Sequence, residues 1–357
     1  MARGQARRWE ENTMMTANLT IVGGVVLAGA MLLPGLATAQ DYDPITLKLA
    51  DSFPTTHVIS EEGAQYFMDQ VKTLSDGKIT IEYFPASQLG KAGDFLTLLQ
   101  TGLVDIAYVP PAYVSEKMPL SDVGSLPGLF SDVCAGSRAY RELATEGPVA
   151  QNDFQDQGIR PLFATPLPPY QISGPDVPVN SLDDLKGRKI RSTGAATNLV
   201  VEALGGVPVN IPGAETYEAL DRGTIDFNLG PYSSYKGYDL YDQTNFGTVG
   251  FGFANIIITY SVSQETLDNL PEAARAVLTE AGTATSDHLC SALETENDTA
   301  IKEMTDLGAK FYKATPESLA DFAEKAKTIQ QKWAEGLDGR GFKGTETLEA
   351  MKAALSE

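Results

Sequence analysis

Apolar and polar residues alternate along the first third of this chain in a way that predicts strands separated by helices. Alternation over residues 45–49 and 79–84 predicts two strands, and residues 104–109 form a third apolar run. An amphipathic run that begins at Ser60, and a short one at residues 95–100, predict helices between them. This order of elements is typical of a parallel α/β sheet.

The same alternation returns in the rest of the chain. Two helices that are much longer than the others are predicted near its end, at residues 271–307 and 316–337. The remaining predicted elements are strands at residues 160–165, 189–191 and 256–262, with helices at residues 195–204 and 214–222.

Two segments share one local pattern. Residues 99–106 and 220–227 both read Leu-x-x-Gly-x-apolar-Asp-apolar, and a proline follows each at the same offset. In each segment the glycine is expected to end a helix and the apolar residues to enter a buried strand. The simplest interpretation of this repeat is two α/β lobes of similar build.

The chain is expected to cross between the lobes twice, near Thr165 and Ile256. Each lobe is then discontinuous, with a cleft between the two, as in binding proteins that close about a hinge. The predicted boundaries are residues 40–167 and 257–295 for lobe I, and residues 168–256 and 296–357 for lobe II.

Residues 1–39 are typical of a secretory signal peptide. A basic start precedes a mostly apolar run at residues 19–33, and Ala37-Thr38-Ala39 provides a small-x-small cleavage site. Met1, Met14 and Met15 all remain possible starts. The mature protein is therefore expected to begin at Gln40 and to be soluble in the periplasm.

Charge and residue usage exclude several classes of function. The chain has 47 acidic and 27 basic residues, a net charge of −20, which argues against nucleic-acid and anionic-membrane partners. His57 and His288 do not stand in metal-ligand spacing, and no motif for a cofactor, a P-loop or a catalytic serine elbow is present. No cofactor and no catalysis are predicted.

Cys134 and Cys290 could pair in an exported protein, but two separate buried thiols are the simpler expectation.

The candidate binding residue is Arg191. It ends a predicted strand and is followed by Ser192-Thr193-Gly194 and a predicted helix, so free backbone N–H groups are expected at the helix start. Ligands bind at the carboxyl ends of strands in open α/β sheets. A guanidinium group is the natural bidentate partner of a carboxylate, so we expect Arg191 to bind one.

Taken in order, a set of short motifs resembles the solute-binding proteins of tripartite ATP-independent periplasmic (TRAP) transporters, of the dicarboxylate-binding type. The resemblance implies two α/β lobes that close on an organic acid, a hinge of crossing strands and a long helix that braces both lobes. It also implies delivery to membrane permease subunits driven by an ion gradient. It also places Arg191 on the carboxylate-binding arginine of the family. The motifs are Gly77-Lys78-Ile79, Phe84-Pro85, Gln88-Leu89-Gly90, Gly102 with Asp105, Leu126-Pro127, Asp184-Leu185-Lys186-Gly187, Lys189-Ile190-Arg191, and Glu215-Thr216-Tyr217-Glu218-Ala219-Leu220 with Gly223 and Asp226.

This chain departs from the family pattern at positions that narrow the class of ligand expected. Sialic-acid-binding members carry a second arginine where this chain has Gln171, so we expect a small organic acid with one carboxylate and a less polar body. Gln171 and Asn228 are expected to hydrogen-bond the ligand, with Tyr113, Phe53 and Tyr232 as apolar walls. A monomer is expected. Two alternatives stay open: an exported two-lobed enzyme, and a ligand-presenting partner of a membrane sensor.

Overall fold

A computed structural model describes residues 42–356 of the chain. The predicted signal peptide, residues 1–39, lies outside the described residues. The strands are β1 (Ile45–Ala50), β2 (Ile79–Phe84), β3 (Ile106–Tyr108), β4 (Ile159–Pro166), β5 (Gln171–Gly174), β6 (Lys189–Ser192), β7 (Val207–Asn210), β8 (Phe227–Gly230), β9 (Phe246–Val249), β10 (Ile257–Ser263) and β11 (Lys310–Lys313). The helices are α1 (Tyr66–Leu74), α2 (Phe95–Gln100), α3 (Val133–Thr145), α4 (Ala195–Ala203), α5 (Thr216–Asp221), α6 (Gln264–Asn269), α7 (Glu272–Asp306), α8 (Pro316–Asp338) and α9 (Gly344–Ala354).

The first sheet contains five strands in the order β2-β1-β3-β10-β4. Strands β2, β1 and β3 run parallel, as the alternation of strands and helices predicts, with Leu49 opposite Ile106. Strand β10 then pairs antiparallel with both β3 and β4, and Tyr260 lies opposite Tyr108. The sheet is therefore mixed, and its strands come from two separate parts of the chain.

The second sheet contains six strands in the order β11-β9-β5-β8-β6-β7. Strand β6 pairs in parallel with β7 and β8, and β5 pairs antiparallel with β8 and β9. The chain leaves the first sheet after β4, builds β5 to β9, and returns as β10. A two-lobed α/β fold with discontinuous lobes is thus confirmed, whereas the boundaries predicted for each lobe stay a prediction.

Helix α7 is the long bracing helix. It packs against α1, α3 and β4 on the side of the first sheet, and against the 3-10 turn Tyr232–Ser234 that follows β8 in the second sheet. Gly282 lets the helix approach β4 closely, because a Cβ atom there would collide with the carbonyl oxygen of Leu162. Helix α8 packs on α4, and α9 packs on α8 and α3. No helix among residues 42–356 is both long enough and apolar enough to cross a bilayer.

The repeated Leu-x-x-Gly segments form the same structure twice. Gly102 has φ 68° and Gly223 has φ 64°, so each ends its helix in the left-handed region that glycine tolerates. Asp105 then accepts a hydrogen bond from the backbone of Lys48 at 2.8 Å, and Asp226 accepts one from Lys189 at 2.8 Å. In both sheets the aspartate therefore ties the incoming strand to its parallel neighbour.

Cys134 and Cys290 form a disulfide, so the expectation of two separate thiols is wrong. Cys134 lies in α3 and Cys290 in α7, at a sequence separation of 156 and with Cα atoms 5.0 Å apart. The packing of α3 against α7 brings the two side chains together. Sequence spacing carries no information on that contact.

Candidate ligand-binding site

The strand that carries Arg191 lies in the interior of the second sheet. Strand β6 is flanked by β7 and β8, and Ile190 is fully buried on it. Arg191 is only 4% exposed. Because its charge lies inside the protein, its hydrogen-bond partners determine what it can still bind.

All the groups that contact the Arg191 guanidinium are neutral. Its Nε atom donates to the carbonyl oxygen of Ile211 at 2.9 Å, and Nη1 donates to that of Leu229 at 3.1 Å. Nη1 also lies 3.4 Å from the amide oxygen of Asn228, and Nη2 lies 3.3 Å from the hydroxyl of Tyr113. These contacts hold the guanidinium plane in one orientation without neutralising it.

No carboxylate of residues 42–356 lies within ion-pair distance of Arg191. A buried cation without a counter-ion is costly, and removing one partner of a buried pair typically destabilises by about 3–5 kcal/mol. An anion that enters beside Arg191 would relieve that cost. The arrangement is suited to binding one negatively charged group.

Three backbone N–H groups around the start of helix α4 are already bonded within the protein. The hydroxyl oxygen of Thr197 accepts from the backbone of Thr193 at 2.9 Å and of Gly194 at 3.0 Å. Asp122 accepts from the backbone of Ala196 at 3.0 Å. These three groups are therefore not free for a ligand, and Arg191 is the charged group that an anion can meet.

Arg191 faces a partly enclosed cavity to which six aromatic side chains contribute. Phe53 packs against Tyr108 at 4.8 Å between ring centroids and stacks on Tyr238 at 6.2 Å. The hydroxyls of Thr216 and Ser234 donate and accept no hydrogen bond within the described residues, so they remain available to a ligand. The full lining is Phe53, Tyr108, Tyr113, Leu167, Tyr170, Arg191, Gly213, Thr216, Asn228, Pro231, Ser234, Tyr235, Tyr238, Leu240 and Ile256.

Three buried tyrosine hydroxyls of the cavity, those of Tyr108, Tyr235 and Tyr238, are neutral at physiological pH. Burial raises the pKa of Tyr108 and of Tyr238 well above its ordinary value. Burial also raises the pKa of Tyr235 to about 12, against hydrogen bonds from Ser173 and Asn228 that lower it. Arg191 is thus the charged group of the wall, and the remaining polar groups are neutral.

Four of the six residues predicted to bind the ligand line this cavity: Arg191, Asn228, Tyr113 and Phe53. The other two do not. The amide of Gln171 donates to the carbonyl of Phe251, and its oxygen accepts from the hydroxyl of Thr248 at 3.1 Å.

Tyr232 is also turned away from the cavity. It is fully buried, its hydroxyl donates to the carbonyl of Thr248 at 2.7 Å, and its ring packs edge-on against Phe311. Tyr232 is predicted to line the site because, of the tyrosines after β8, it lies closest to the end of that strand. The 3-10 turn Tyr232–Ser234 instead directs this ring toward β9 and β11, and Tyr235 and Tyr238 reach the cavity.

Sequence reasoning also left Leu167, Tyr170 and Ile256 out of the site. These residues flank the two chain crossings, where β4 and β10 pair. The signal was present in the Pro-rich segment that ends at Tyr170, since a cleft between discontinuous lobes must have the crossing segments at its base.

A two-lobed α/β fold around a buried cationic cavity is the architecture of a hinge-closing solute-binding protein. The family model described as bacterial extracellular solute-binding protein, family 7 (DctP) matches residues 50–336. The chain therefore belongs to this family of extracellular solute-binding proteins. The resemblance to the solute-binding proteins of TRAP transporters, dicarboxylate-binding type, is confirmed by this match.

Two curated relatives have different ligands in their names. The chain is 27% identical to the C4-dicarboxylate-binding periplasmic protein DctP of Rhodobacter capsulatus, over 94% of this chain and 97% of that protein. It is 23% identical to the ectoine-binding periplasmic protein TeaA of Halomonas elongata, over 82% and 85% of the two chains. Membership of the family alone does not determine the ligand.

Solved structures share the fold across nearly the whole described chain. A marine-metagenome TRAP solute-binding protein specific for aromatic acid ligands, in complex with 3-hydroxybenzoate, has a TM-score of 0.82 at 22% identity and covers 88% of this chain and 99% of its own. A TRAP solute-binding protein from Rhodoferax ferrireducens, in complex with benzoate, has a TM-score of 0.81 at 24% identity and covers 87% and 97%. One from Bordetella bronchiseptica with bound mandelate has a TM-score of 0.79 at 21% identity and covers 88% and 99%.

Proposed function

We propose that this protein captures a small aromatic monocarboxylic acid in the cavity beside Arg191 and delivers it to the membrane permease of a TRAP transporter. The observation that carries the proposal is the buried guanidinium of Arg191, which has no carboxylate partner within residues 42–356. A ligand carboxylate would supply the missing charge through a charge-assisted hydrogen bond to the guanidinium.

A single carboxylate fits the cavity better than two. Arg191 is the one cationic side chain in the lining, so a second carboxylate of a dicarboxylic acid would be buried without a partner. The walls are aromatic at Phe53, Tyr108, Tyr170, Tyr235 and Tyr238, and such walls favour a planar ring. The benzoate, 3-hydroxybenzoate and mandelate of the structural neighbours are all ring-bearing monocarboxylates.

The proposed residues differ in part from those predicted. Arg191, Asn228, Tyr113 and Phe53 remain the proposed ligand contacts, and Tyr235 and Tyr238 replace Gln171 and Tyr232 in the wall. Mature residues 40–357 would act as a monomer in the periplasm, without nucleic acid. The fold would close with lobe I at residues 40–167 and 257–295 and lobe II at residues 168–256 and 296–357.

The same geometry argues against the enzyme alternative. Burial lowers the pKa of His57 to about 3, and its Nδ1 atom accepts from the backbone of Ile59 at 3.1 Å, so it is a poor general base. His288 lies 2.6 Å from Glu62 and stacks on Tyr66, and neither histidine lines the Arg191 cavity. Turnover of a bound acid would favour an enzyme. A gene neighbourhood with two membrane subunits would favour a permease over a membrane sensor.

A thermal-shift screen of residues 40–357 tests the proposal. The panel is benzoate, 3-hydroxybenzoate, mandelate, pyroglutamate and succinate, in wild type and in Arg191→Met. A ligand at 100 times its dissociation constant should stabilise the protein by about 2.7 kcal/mol. We expect stabilisation of wild type by a ring-bearing monocarboxylate, its loss in Arg191→Met, and its retention in the control Arg188→Met, an exposed position on the same segment. Stabilisation by succinate alone would contradict the ligand class.

A further inference from the structure

Tyr113 reaches from one sheet to the other. It lies in the 3-10 turn Pro111–Val114, directly after β3 of the first sheet. Its hydroxyl oxygen accepts from Nη2 of Arg191 at 3.3 Å and from the backbone of Gly213 at 3.0 Å. Arg191 lies on β6 of the second sheet, and Gly213 begins the 3-10 turn that follows β7 of the same sheet. This one side chain therefore connects the two lobes at the point where the charge of the cavity lies.

The hydroxyl of Tyr113 still has a proton to donate. A phenol oxygen has two lone pairs and one O–H donor. The contacts with Arg191 and Gly213 use both lone pairs, and no described residue accepts a hydrogen bond from this hydroxyl. An anion beside Nη2 of Arg191 would be within reach of the same hydroxyl group.

Such a donor would strengthen binding only when the lobes are closed. In an open form, with the two sheets apart, Arg191 and Asn228 would still meet a carboxylate because both lie in the second sheet. Tyr113 would be absent because it moves with the first sheet. A hydrogen bond between a phenol and a carboxylate is charge-assisted and stronger than a neutral one.

A second contact reaches the same segment from the first sheet's side. Lys91 pairs with Glu215 at 2.8 Å, at the end of the 3-10 turn Gly213–Glu215 whose first residue bonds Tyr113. The two side chains of this pair are 74% and 48% exposed. Exposed pairs contribute little and are screened by salt, so Lys91 provides a comparison contact that crosses the cleft without touching the ligand site.

We propose that Tyr113 couples occupation of the site to closure of the lobes, by donating its O–H to the ligand carboxylate that Arg191 holds. This inference rests on the proposed function, since it needs a carboxylate ligand. It assigns Tyr113 a role beyond that of an apolar wall: its hydroxyl makes the closed form bind the acid more tightly than the open form does.

Stopped-flow binding of the tightest acid from the panel, with benzoate as the reference ligand, tests this role in Tyr113→Phe. Loss of a hydrogen bond to a charged group should raise the dissociation rate on the order of 10- to 100-fold, with the association rate changed by less than about twofold. Small-angle X-ray scattering should show less ligand-induced compaction in Tyr113→Phe than in wild type. Tyr217→Phe, which removes a hydroxyl bonded to Asp242 on the surface, is the matched control, and Lys91→Ala tests the outer contact.

The outcomes separate the two proposals. If no acid stabilises wild type, the proposed function fails. If acids bind and Arg191→Met abolishes binding, but Tyr113→Phe has the dissociation rate of wild type, only the role of Tyr113 fails. A faster dissociation rate with unchanged compaction would also overturn the coupling, because Tyr113 would then contact the ligand equally in both forms.

Discussion

The Nη1 atom of Arg191 lies 3.4 Å from the Oδ1 atom of Asn228, and the amide is held there by its other end. Nδ2 of Asn228 donates to the hydroxyl of Tyr235 at 2.8 Å, and this hydroxyl lies 2.6 Å from that of Ser173. The row of hydrogen bonds fixes which atom of the amide faces the guanidinium. A neutral acceptor is thus placed where a carboxylate would cancel the charge.

Asn228→Asp should convert this neutral contact into an internal ion pair. The new carboxylate would compete with the ligand for Arg191, because the ligand would have to displace a close charge pair. The dissociation constant for the bound acid should therefore rise by roughly 30-fold or more. Isothermal titration calorimetry measures this change. Asn245→Asp, which adds the same charge at an exposed site, is the control. An unchanged affinity in Asn228→Asp would mean that the ligand does not use the charge of Arg191.

Gly194→Ala should hinder closure of the lobes. The backbone of Gly194 is extended, with φ 171°, so alanine fits its conformation, but a Cβ atom would lie 2.5 Å from the carbonyl oxygen of Ala112. Ala112 follows β3 of the first sheet, and Gly194 follows β6 of the second. Overpacking of this kind costs about 1–3 kcal/mol, which corresponds to a roughly 5- to 150-fold weaker affinity if only the closed form has the clash.

Gly252→Ala provides the control for Gly194→Ala, since no atom lies within 4 Å of the added Cβ at that position. Titration calorimetry and the melting temperature without ligand are measured for both variants. A lower melting temperature of ligand-free Gly194→Ala, together with its weaker affinity, would contradict an effect on closure. It would indicate that the substitution damages the fold in general.

Removal of the Cys134–Cys290 disulfide should lower stability without changing ligand affinity. The bond joins α3 to α7 and closes a loop of 156 residues, so the double variant Cys134→Ser with Cys290→Ser should lose about 2–5 kcal/mol of unfolding free energy. Urea unfolding of the double variant measures this loss. The cavity lining includes neither cysteine, and a large drop in affinity would show that the disulfide positions the site as well.

His57 should make the protein less stable in acid. Burial lowers its pKa from 6.5 to about 3, so between these values the unfolded state binds a proton and the folded state does not. Its contribution to stability is present above pH 6.5 and is lost, by about 1.4 kcal/mol per pH unit, as the pH falls toward 3. His57→Asn keeps an acceptor for the backbone of Ile59 and should remove this slope.

Asp51 acts in the opposite direction. Burial raises its pKa from 3.8 to about 6, against hydrogen bonds from Tyr83 and Tyr260 that lower it. The folded state then binds more protons between these values, and stability falls as the pH rises through them. Removing the His57 contribution leaves that of Asp51, so urea unfolding at pH 4, 5 and 6 should show a more negative slope of stability against pH in His57→Asn than in wild type. Equal slopes would contradict a buried neutral His57.

Local patterns explain why much of the fold could be predicted. The Leu-x-x-Gly-x-apolar-Asp repeat encodes a helix end and the strand that follows it, and both are local features. Asp105 and Asp226 accordingly occupy the same place in the two sheets. Arg191 could be found for the same reason, because a strand end and a helix start are adjacent in the sequence.

Features that depend on side-chain direction or on distant packing could not be found in this way. Gln171 lies beside the cavity at the start of β5, but its amide turns to Phe251 and Thr248, which are more than 70 residues away. Tyr232 and Tyr235 differ by one turn, and only the bend after β8 decides which ring faces the ligand. The contact of α3 with α7 likewise decides the disulfide, and no local pattern encodes it.

If the single buried positive charge of Arg191 selects the ligand, acids should bind and their neutral amides should not. The melting temperature of residues 40–357 is measured with benzoate, 3-hydroxybenzoate and mandelate, each beside its neutral amide. We predict that at least one acid raises the melting temperature and that its amide, which has the same shape without the charge, does not. Equal shifts for an acid and its amide, or shifts from neutral solutes alone, would contradict the role of Arg191.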